Sequence, residues 1–243
     1  MIEIKDLQKS FGSKKVLQGV NLTIEKGETL VIIGRSGCGK SVLIKHIVGL
    51  LDPDSGYVKV DGRIISDLKE KELYELRKKF GVLFQGSALF DSMTVEENVG
   101  LSLVESKFNY SKSDIKKTVE EKLSLVGLSG NLNLKPSELS GGMKKRVALA
   151  RALVTNPSYI LYDEPTTGLD PIMSDSIDNL IKDLAEKLNV TSIVVTHDMY
   201  SVKNVANKVA MMNDGRIYFT GKPEELINST DQVIVDFIRR TEV

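Results

Sequence analysis

A single cysteine, Cys38, stands in 243 residues. It excludes an internal disulfide and suits a reducing compartment. Neither sign of charge prevails, since 33 basic residues face 33 acidic ones and the formal net charge is zero. That balance gives no support for nonspecific nucleic-acid binding or for a polybasic membrane anchor. Long apolar runs are missing too. None approaches the ~18 residues needed to span a bilayer, so any membrane role is expected to come through a separate partner. No N-terminal signal pattern is visible, because Met1-Ile2-Glu3-Ile4-Lys5-Asp6 already alternates like a strand. Repeats, low-complexity tracts and long linkers do not stand out. What is there is an ordinary globular balance, 41% apolar and 27% charged. It is enough for a sizeable core in one large α/β domain, or in a domain with a subdomain.

Strand-like alternation from Ile2 to Leu7 and from Val16 to Ile24 flanks a turn at Gly12-Ser13. An apolar strand, Thr29-Leu30-Val31-Ile32-Ile33, then runs into Gly34-Arg35-Ser36-Gly37-Cys38-Gly39-Lys40-Ser41, and a helical pattern follows from Val42 to Val48. The octapeptide fits G-x-x-x-x-G-K-[ST] in the strand–loop–helix context that a phosphate-binding loop requires. Its glycines let backbone N–H groups turn toward phosphates, and the helix N-terminus adds partial positive charge. Lys40 is expected to reach the β- and γ-phosphates of ATP or GTP, and the Ser41 hydroxyl to ligate Mg²⁺. Cys38 lies near that helix N-terminus, a setting that can lower a thiol pKa.

Beyond this loop a turn at Asp52 to Gly56 and a strand from Tyr57 lead to a charged helix, Lys69 to Lys79, and a strand, Phe80 to Phe84. The pattern is helical from Thr94 to about Leu153, with Thr94 and Ser140 as candidate caps. The strand–helix rhythm resumes with Tyr159 to Tyr162, Pro171 to Leu188 and Ser192 to Thr196. A hairpin near Asp214-Gly215 and an amphipathic segment, Val233 to Arg240, close the chain. The expected architecture is a mostly parallel sheet with helices on both faces and a helical insertion.

Tyr159-Ile160-Leu161-Tyr162 is a buried strand whose C-terminal edge carries Asp163 and Glu164 side by side, and parallel sheets place ligands at that edge. Asp163 is placed to hold Mg²⁺, directly or through water, and Glu164 to polarise the attacking water. Of the two histidines, His46 falls in the helix after the glycine loop and reads as a surface or packing residue. His197 ends the strand Ser192-Ile193-Val194-Val195, an edge from which it can reach the γ-phosphate. Leu139-Ser140-Gly141-Gly142-Met143 sets two glycines at a helix start, where a backbone can approach an anion with Ser140 as an extra donor.

Together, the glycine loop, Gln85, the Ser140-Gly141-Gly142 segment, Asp163-Glu164 and His197 resemble the ATPase subunit of an ATP-binding-cassette (ABC) transporter over essentially the whole chain. The resemblance implies a P-loop NTPase of the ABC ATPase fold across residues 1–243. It has a mostly parallel core sheet, an N-terminal antiparallel β-subdomain, an inserted α-helical subdomain at about 94–153 and a tail at about 230–243. It implies a head-to-tail homodimer that sandwiches ATP. Phe11 would stack on adenine with Val16 against the same ring, and residues Gly34, Arg35, Ser36, Gly37, Cys38, Gly39, Lys40, Ser41 and Val42 would hold the nucleotide. Ser140, Gly141 and Gly142 would contact the γ-phosphate bound by the opposite protomer, and Asp170 would belong to the D-loop that links the two sites. Gln85 would be the Q-loop glutamine that senses Mg²⁺ and water, Glu164 the general base and His197 the γ-phosphate switch. Ser41, Gln85 and Asp163 would serve the metal. Met143, Phe11 and Val42 depart from the commonest pattern of the family, where glutamine, tyrosine and threonine are frequent.

The stretches Gly39 to His46, Phe84 to Val99 and Pro136 to Met143 look like the ATPase subunit of Mla-type phospholipid transporters, and Val42 and Met143 fit that subgroup. The subgroup implies integral membrane permease subunits, a membrane-anchored lipid-binding partner and a peripheral location on the cytoplasmic face of the inner membrane, with no nucleic acid. Other readings are an ATPase for a small-solute importer, for a cell-division-type membrane complex, or for soluble non-transport work. Leu89 and Phe90 would line a groove for a permease helix, or Ala88, Leu89 and Phe90 would lie in the subdomain core, two readings that are compatible. The C-terminal segment would either pack on its own domain or clasp the second subunit.

Overall fold

The structure is a computed structural model that describes residues 1–106 and 110–241. Residues 107–109, inside the expected helical stretch, and residues 242–243, at the end of the expected tail, lie outside the described residues. In chain order the elements are β1 (Ile2–Phe11), β2 (Lys14–Ile24), β3 (Thr29–Gly34), α1 (Lys40–Ile47), β4 (Ser55–Val60), β5 (Arg63–Ile64) and α2 (Glu70–Arg77). Then follow β6 (Phe80–Leu83), α3 (Val95–Val104), α4 (Lys112–Leu125), α5 (Gly141–Leu153), β7 (Tyr159–Asp163) and α6 (Pro171–Leu188). The last are β8 (Thr191–Val195), α7 (Met199–Val205), β9 (Lys208–Asn213), β10 (Arg216–Gly221), α8 (Pro223–Ile227) and α9 (Gln232–Thr241).

The contacts divide the chain into two compact units, Met1–Arg77 with Thr191–Val243, and Lys78–Val190. In the first unit, β2, β1, β4 and β5 form an antiparallel sheet in that order. Ile2 pairs with Ile24 on one side and Val60 on the other, and all three are wholly buried. β1 runs four residues beyond the expected Leu7, which carries Phe11 to its tip. In the same unit β3 lies between β8 and β9, parallel to both, and β10 closes the edge antiparallel to β9. Every residue of β3 and β8 is buried, the continuous apolar reading of a strand covered on both faces. β10 alternates exposed and half-buried residues, as an edge strand does.

The amphipathic C-terminal segment packs on its own unit. Ile234 and Phe237 of α9 are buried, and Asp231 just before it accepts a hydrogen bond from the Tyr218 hydroxyl at 2.9 Å. In the second unit β6 and β7 are parallel neighbours. The chain between them supplies α3, α4 and α5. Thr94 opens α3 with a reciprocal capping box with Glu97, and Ser140 caps α5 through the Met143 N–H at 3.3 Å. Phe80 and Tyr159 stack at 5.0 Å across the two strands.

Candidate functional site

The glycine loop forms in the first unit because three of its residues take backbone angles that side chains resist. Gly34, Gly37 and Gly39 have φ of 150°, 78° and 109°. A Cβ on Gly34 would run into the Met212 carbonyl of β9 and the Cys38 sulfur, so the loop is also pressed against its neighbours. α1 begins at Lys40, which leaves the loop amides at a helix N-terminus. The Lys40 side chain is buried and donates to the loop's own carbonyls, Gly34 at 2.7 Å and Arg35 at 3.3 Å. Arg35, Ser36, Gly37 and Ser41 are exposed, while Cys38 and Val42 are half-buried. Burial pushes the Cys38 thiol above its usual pKa, and the Lys40 charge only partly opposes this. The expectation of a lowered thiol pKa is therefore corrected: desolvation outweighs the helix N-terminus.

Phe11 is half-exposed at the tip of β1, and the Lys9 ammonium sits 5.8 Å from its ring centroid. Lys9 is itself held by the Asp52 carbonyl at 2.7 Å and the Asp54 carboxylate at 2.9 Å. Val16 is half-buried, and the Asp214-Gly215 turn of the β9–β10 hairpin lies against it. His197 is exposed between β8 and α7, while Asp198 caps α7 through the Tyr200 N–H at 2.8 Å. His46 is not on the surface. It is 1% exposed, its Nδ1 lies 2.7 Å from the Val42 carbonyl, and burial pushes its pKa down.

In the second unit four buried residues of β7 deliver Asp163 to the strand's C-terminal end. Glu164 follows at φ 51°, a left-handed conformation that a side chain occupies at a cost of about 1–3 kcal/mol. Thr167 steadies it by donating from Oγ1 to a Glu164 carboxylate oxygen at 3.3 Å. Asp170 accepts from the Met173 N–H at 2.9 Å and so caps α6, a structural job beside its expected D-loop place. Gly141 is exposed at the start of α5. Gly142 is buried, and a Cβ there would meet the end of the Met173 side chain, so this glycine also serves the packing of α5 on α6. Gln85 is exposed just past β6. Phe84 and Phe90 are each about half exposed, Ala88 is exposed and Leu89 half-buried. The core alternative for Ala88 and Phe90 is thus set aside.

Two basic residues that the sequence reading passed over complete this region. Lys145 of α5 donates to the backbone carbonyls of Gln85 and Glu164, and Arg151 donates to those of Ala88 at 2.6 Å and Ser87 at 2.8 Å. The burial of Lys145 had a sequence signal. Lys145 falls three residues after Gly142 and four before Leu149, on the buried face of α5, where a lysine needs partners.

A nucleotide-phosphate loop on a parallel strand, two carboxylates at the end of another, and a serine-capped glycine pair opening a helix define the ATP-binding cassette. The chain belongs to the ABC transporter family, whose model matches residues 17–167, and it is one of that family's ATPase cassettes with the P-loop NTPase fold. It is 42% identical over 239 residues to the intermembrane phospholipid transport system ATP-binding protein MlaF of Haemophilus influenzae, covering 98% of this chain and 90% of the relative. It is 43% identical over 237 residues to the probable ribonucleotide transport ATP-binding protein mkl of Mycobacterium tuberculosis, covering 98% of this chain but 66% of that longer relative. A dimeric post-hydrolysis structure of the cassette MJ0796 bound to ADP and Pi superposes with a TM-score of 0.83 at 36% identity, covering 92% of this chain and 99% of that one.

Proposed function

We propose that this cassette hydrolyses ATP as a homodimer on the cytoplasmic face of the inner membrane, and that it drives a separate permease moving phospholipid or another apolar molecule between membranes. The observation that carries the lipid assignment is the similarity to MlaF along nearly the full length of both chains. Phe84 and Phe90, exposed on either side of Gln85, supply an apolar surface suited to a short permease helix. A membrane-anchored lipid-binding subunit completes the proposed assembly. No helix among the described residues is long and apolar enough to cross a membrane.

In this reading the amides of Gly37 to Ser41 hold the phosphates and Lys40 leaves its two loop carbonyls for the β- and γ-phosphates. Adenine stacks on Phe11 and against Val16. Ser140, Gly141 and Gly142 engage the γ-phosphate held by the second copy, and Asp170 links the two sites. Glu164 takes a proton from the attacking water, Gln85 orients that water, and His197 reads the γ-phosphate. Mg²⁺ fits the donor set, since the Ser41 hydroxyl, the Asp163 carboxylate and the Gln85 amide all offer hard oxygen. When bound it neutralises phosphate charge.

The name of mkl favours a second reading, the same cassette energising transport of a small polar solute. Gentle detergent capture of the chain from its native membranes, with mass spectrometry of proteins and lipids, separates the two. Co-purification of a permease, a membrane-anchored binding subunit and phospholipid supports the lipid reading. A permease with a soluble solute-binding partner and no retained lipid overturns it.

A further inference from the structure

The parallel ladder between β6 and β7 pairs Phe80 with Tyr159 and ends with Leu83 opposite Tyr162. Two residues further in the same register stand Gln85 and Glu164, but neither extends the ladder. Glu164 turns to φ 51°, and Ser87 and Ala88 turn to 61° and 48°. Carbonyls left at the open end of a ladder still require donors when water is excluded. Lys145 supplies them. Its ammonium, on a residue only 5% exposed, donates to the carbonyl of Gln85 and, at 3.4 Å, to that of Glu164.

The target of these bonds is what separates Lys145 from an ordinary buried cation. Both acceptors are backbone oxygens, one in each of the two loops that carry proposed water-handling side chains. Burial pushes the Lys145 pKa below its usual value, and the charges of Asp163 and Glu164 only partly oppose this. Six residues along the same helix, Arg151 grips the next two left-handed residues of the loop, Ser87 and Ala88. α5 therefore holds both loops by main-chain atoms, while its N-terminal end presents Ser140.

We propose that Lys145 is a positioning residue for ATP hydrolysis, fixing the Gln85 loop and the Glu164 backbone in one register and tying both to the helix headed by Ser140. The proposal rests on the assignment of Glu164 as base. It also gives Ser140 a route to the base: displacement of α5 by a phosphate at Ser140 carries Gln85 and Glu164 together.

Lys145→Met keeps the length of the side chain and removes its donors, and Lys145→Arg keeps donors. Steady-state ATP turnover and affinity for a fluorescent ATP analogue are measured on the full chain for the parent, both variants and Glu164→Gln. Lys145→Met is expected to lower kcat about tenfold or more, with nucleotide affinity held within about twofold and most of kcat recovered in Lys145→Arg. An unchanged kcat, a parallel loss of kcat and affinity, or an arginine variant no better than methionine overturns the proposal. If Lys145→Met does not fold, Lys145→Gln replaces it, with its amide kept as a donor. That amide is too short to span both carbonyls, so a kcat loss of about threefold or more at parent affinity supports the role of Lys145, and a smaller loss overturns it. Glu164→Gln hydrolysing at the parent rate sinks the assignment of the base. An inactive Glu164→Gln beside an unimpaired Lys145→Met sinks only the role of Lys145.

Discussion

Asn98 and Phe90 exchange a reciprocal pair of hydrogen bonds across the loop that follows Gln85. The Asn98 Oδ1 accepts from the Phe90 N–H at 2.8 Å, and its Nδ2 donates to the Phe90 carbonyl at 3.1 Å. The same amide nitrogen also reaches the carbonyls of Met93 and Thr94. Asn98 is fully buried on α3 while Phe90 is half exposed, so a hidden amide holds an apolar side chain out in solvent. Asn98→Leu takes the side-chain partner from the Phe90 N–H and the Met93 carbonyl, while the Phe90 and Thr94 carbonyls keep the Met93 and Asn98 N–H groups, and it is expected to destabilise the protein by about 1–3 kcal/mol. In detergent capture the variant should lose its permease before it loses ATP binding. A thermal melt checks the first expectation, and detergent capture beside a nucleotide titration checks the second; an unshifted melting point would refute the role of the amide.

Glu164→Gln and Lys40→Ala should fail differently. The first removes the proposed base while keeping the shape, so turnover drops by about 10²-fold or more and an ATP-bound dimer accumulates. The second removes the charge proposed to meet the phosphates, so ATP affinity itself is expected to fall. Size-exclusion chromatography with ATP and Mg²⁺ distinguishes them: dimer for Glu164→Gln, monomer for Lys40→Ala. A Glu164→Gln chain that turns over at the parent rate would falsify the assignment.

Cys38 should react slowly. Its thiol pKa lies above the usual value, so near neutral pH the neutral form dominates and the thiolate fraction rises roughly tenfold per pH unit below the pKa. Iodoacetamide at pH 7.5 is expected to modify Cys38 more slowly than a free cysteine, with the rate climbing past pH 9. Bound ATP should protect it, because the sulfur sits inside the phosphate loop. Alkylation faster than free cysteine at pH 7.5 would contradict the burial argument.

Gly215→Ala tests the support of the proposed adenine site. Gly215 has φ 71°, and a Cβ there would lie 2.5 Å from the Val16 carbonyl oxygen. The Gly215 carbonyl also accepts from the Gln18 N–H at 2.8 Å. The substitution is expected to cost about 1–3 kcal/mol and to weaken ATP binding several-fold by displacing Val16. Calorimetric titration of ATP, read beside a melting curve, shows whether the two effects come together.

The parts of the site that were legible in the sequence are the ones whose physics is local. Phosphates need contiguous backbone amides, so the glycine loop is written in eight adjacent residues, and the caps at Thr94 and Ser140 are set by partners three residues away. Asp163 and Glu164 show because a buried strand must end somewhere visible. The burial of Lys145 can be read from its face of α5, but its partner Gln85 and the partners of Arg151, Ser87 and Ala88, lie in a distant loop that becomes a neighbour only after folding. α7 and α8 have seven and five residues, too few turns to establish a helical period. Cys38 misled because a helix N-terminus can be read in sequence and the extent of burial cannot.

The left-handed backbone at Glu164 sets robustness against turnover at a single codon. Asparagine tolerates that conformation better than glutamate does, and glycine better still. Either replacement would relieve strain on the order of 1 kcal/mol. If Glu164 is the base proposed above, a population selected only for heat resistance would drift toward inactive sequences at position 164, and only continued demand for ATP hydrolysis would keep the carboxylate there.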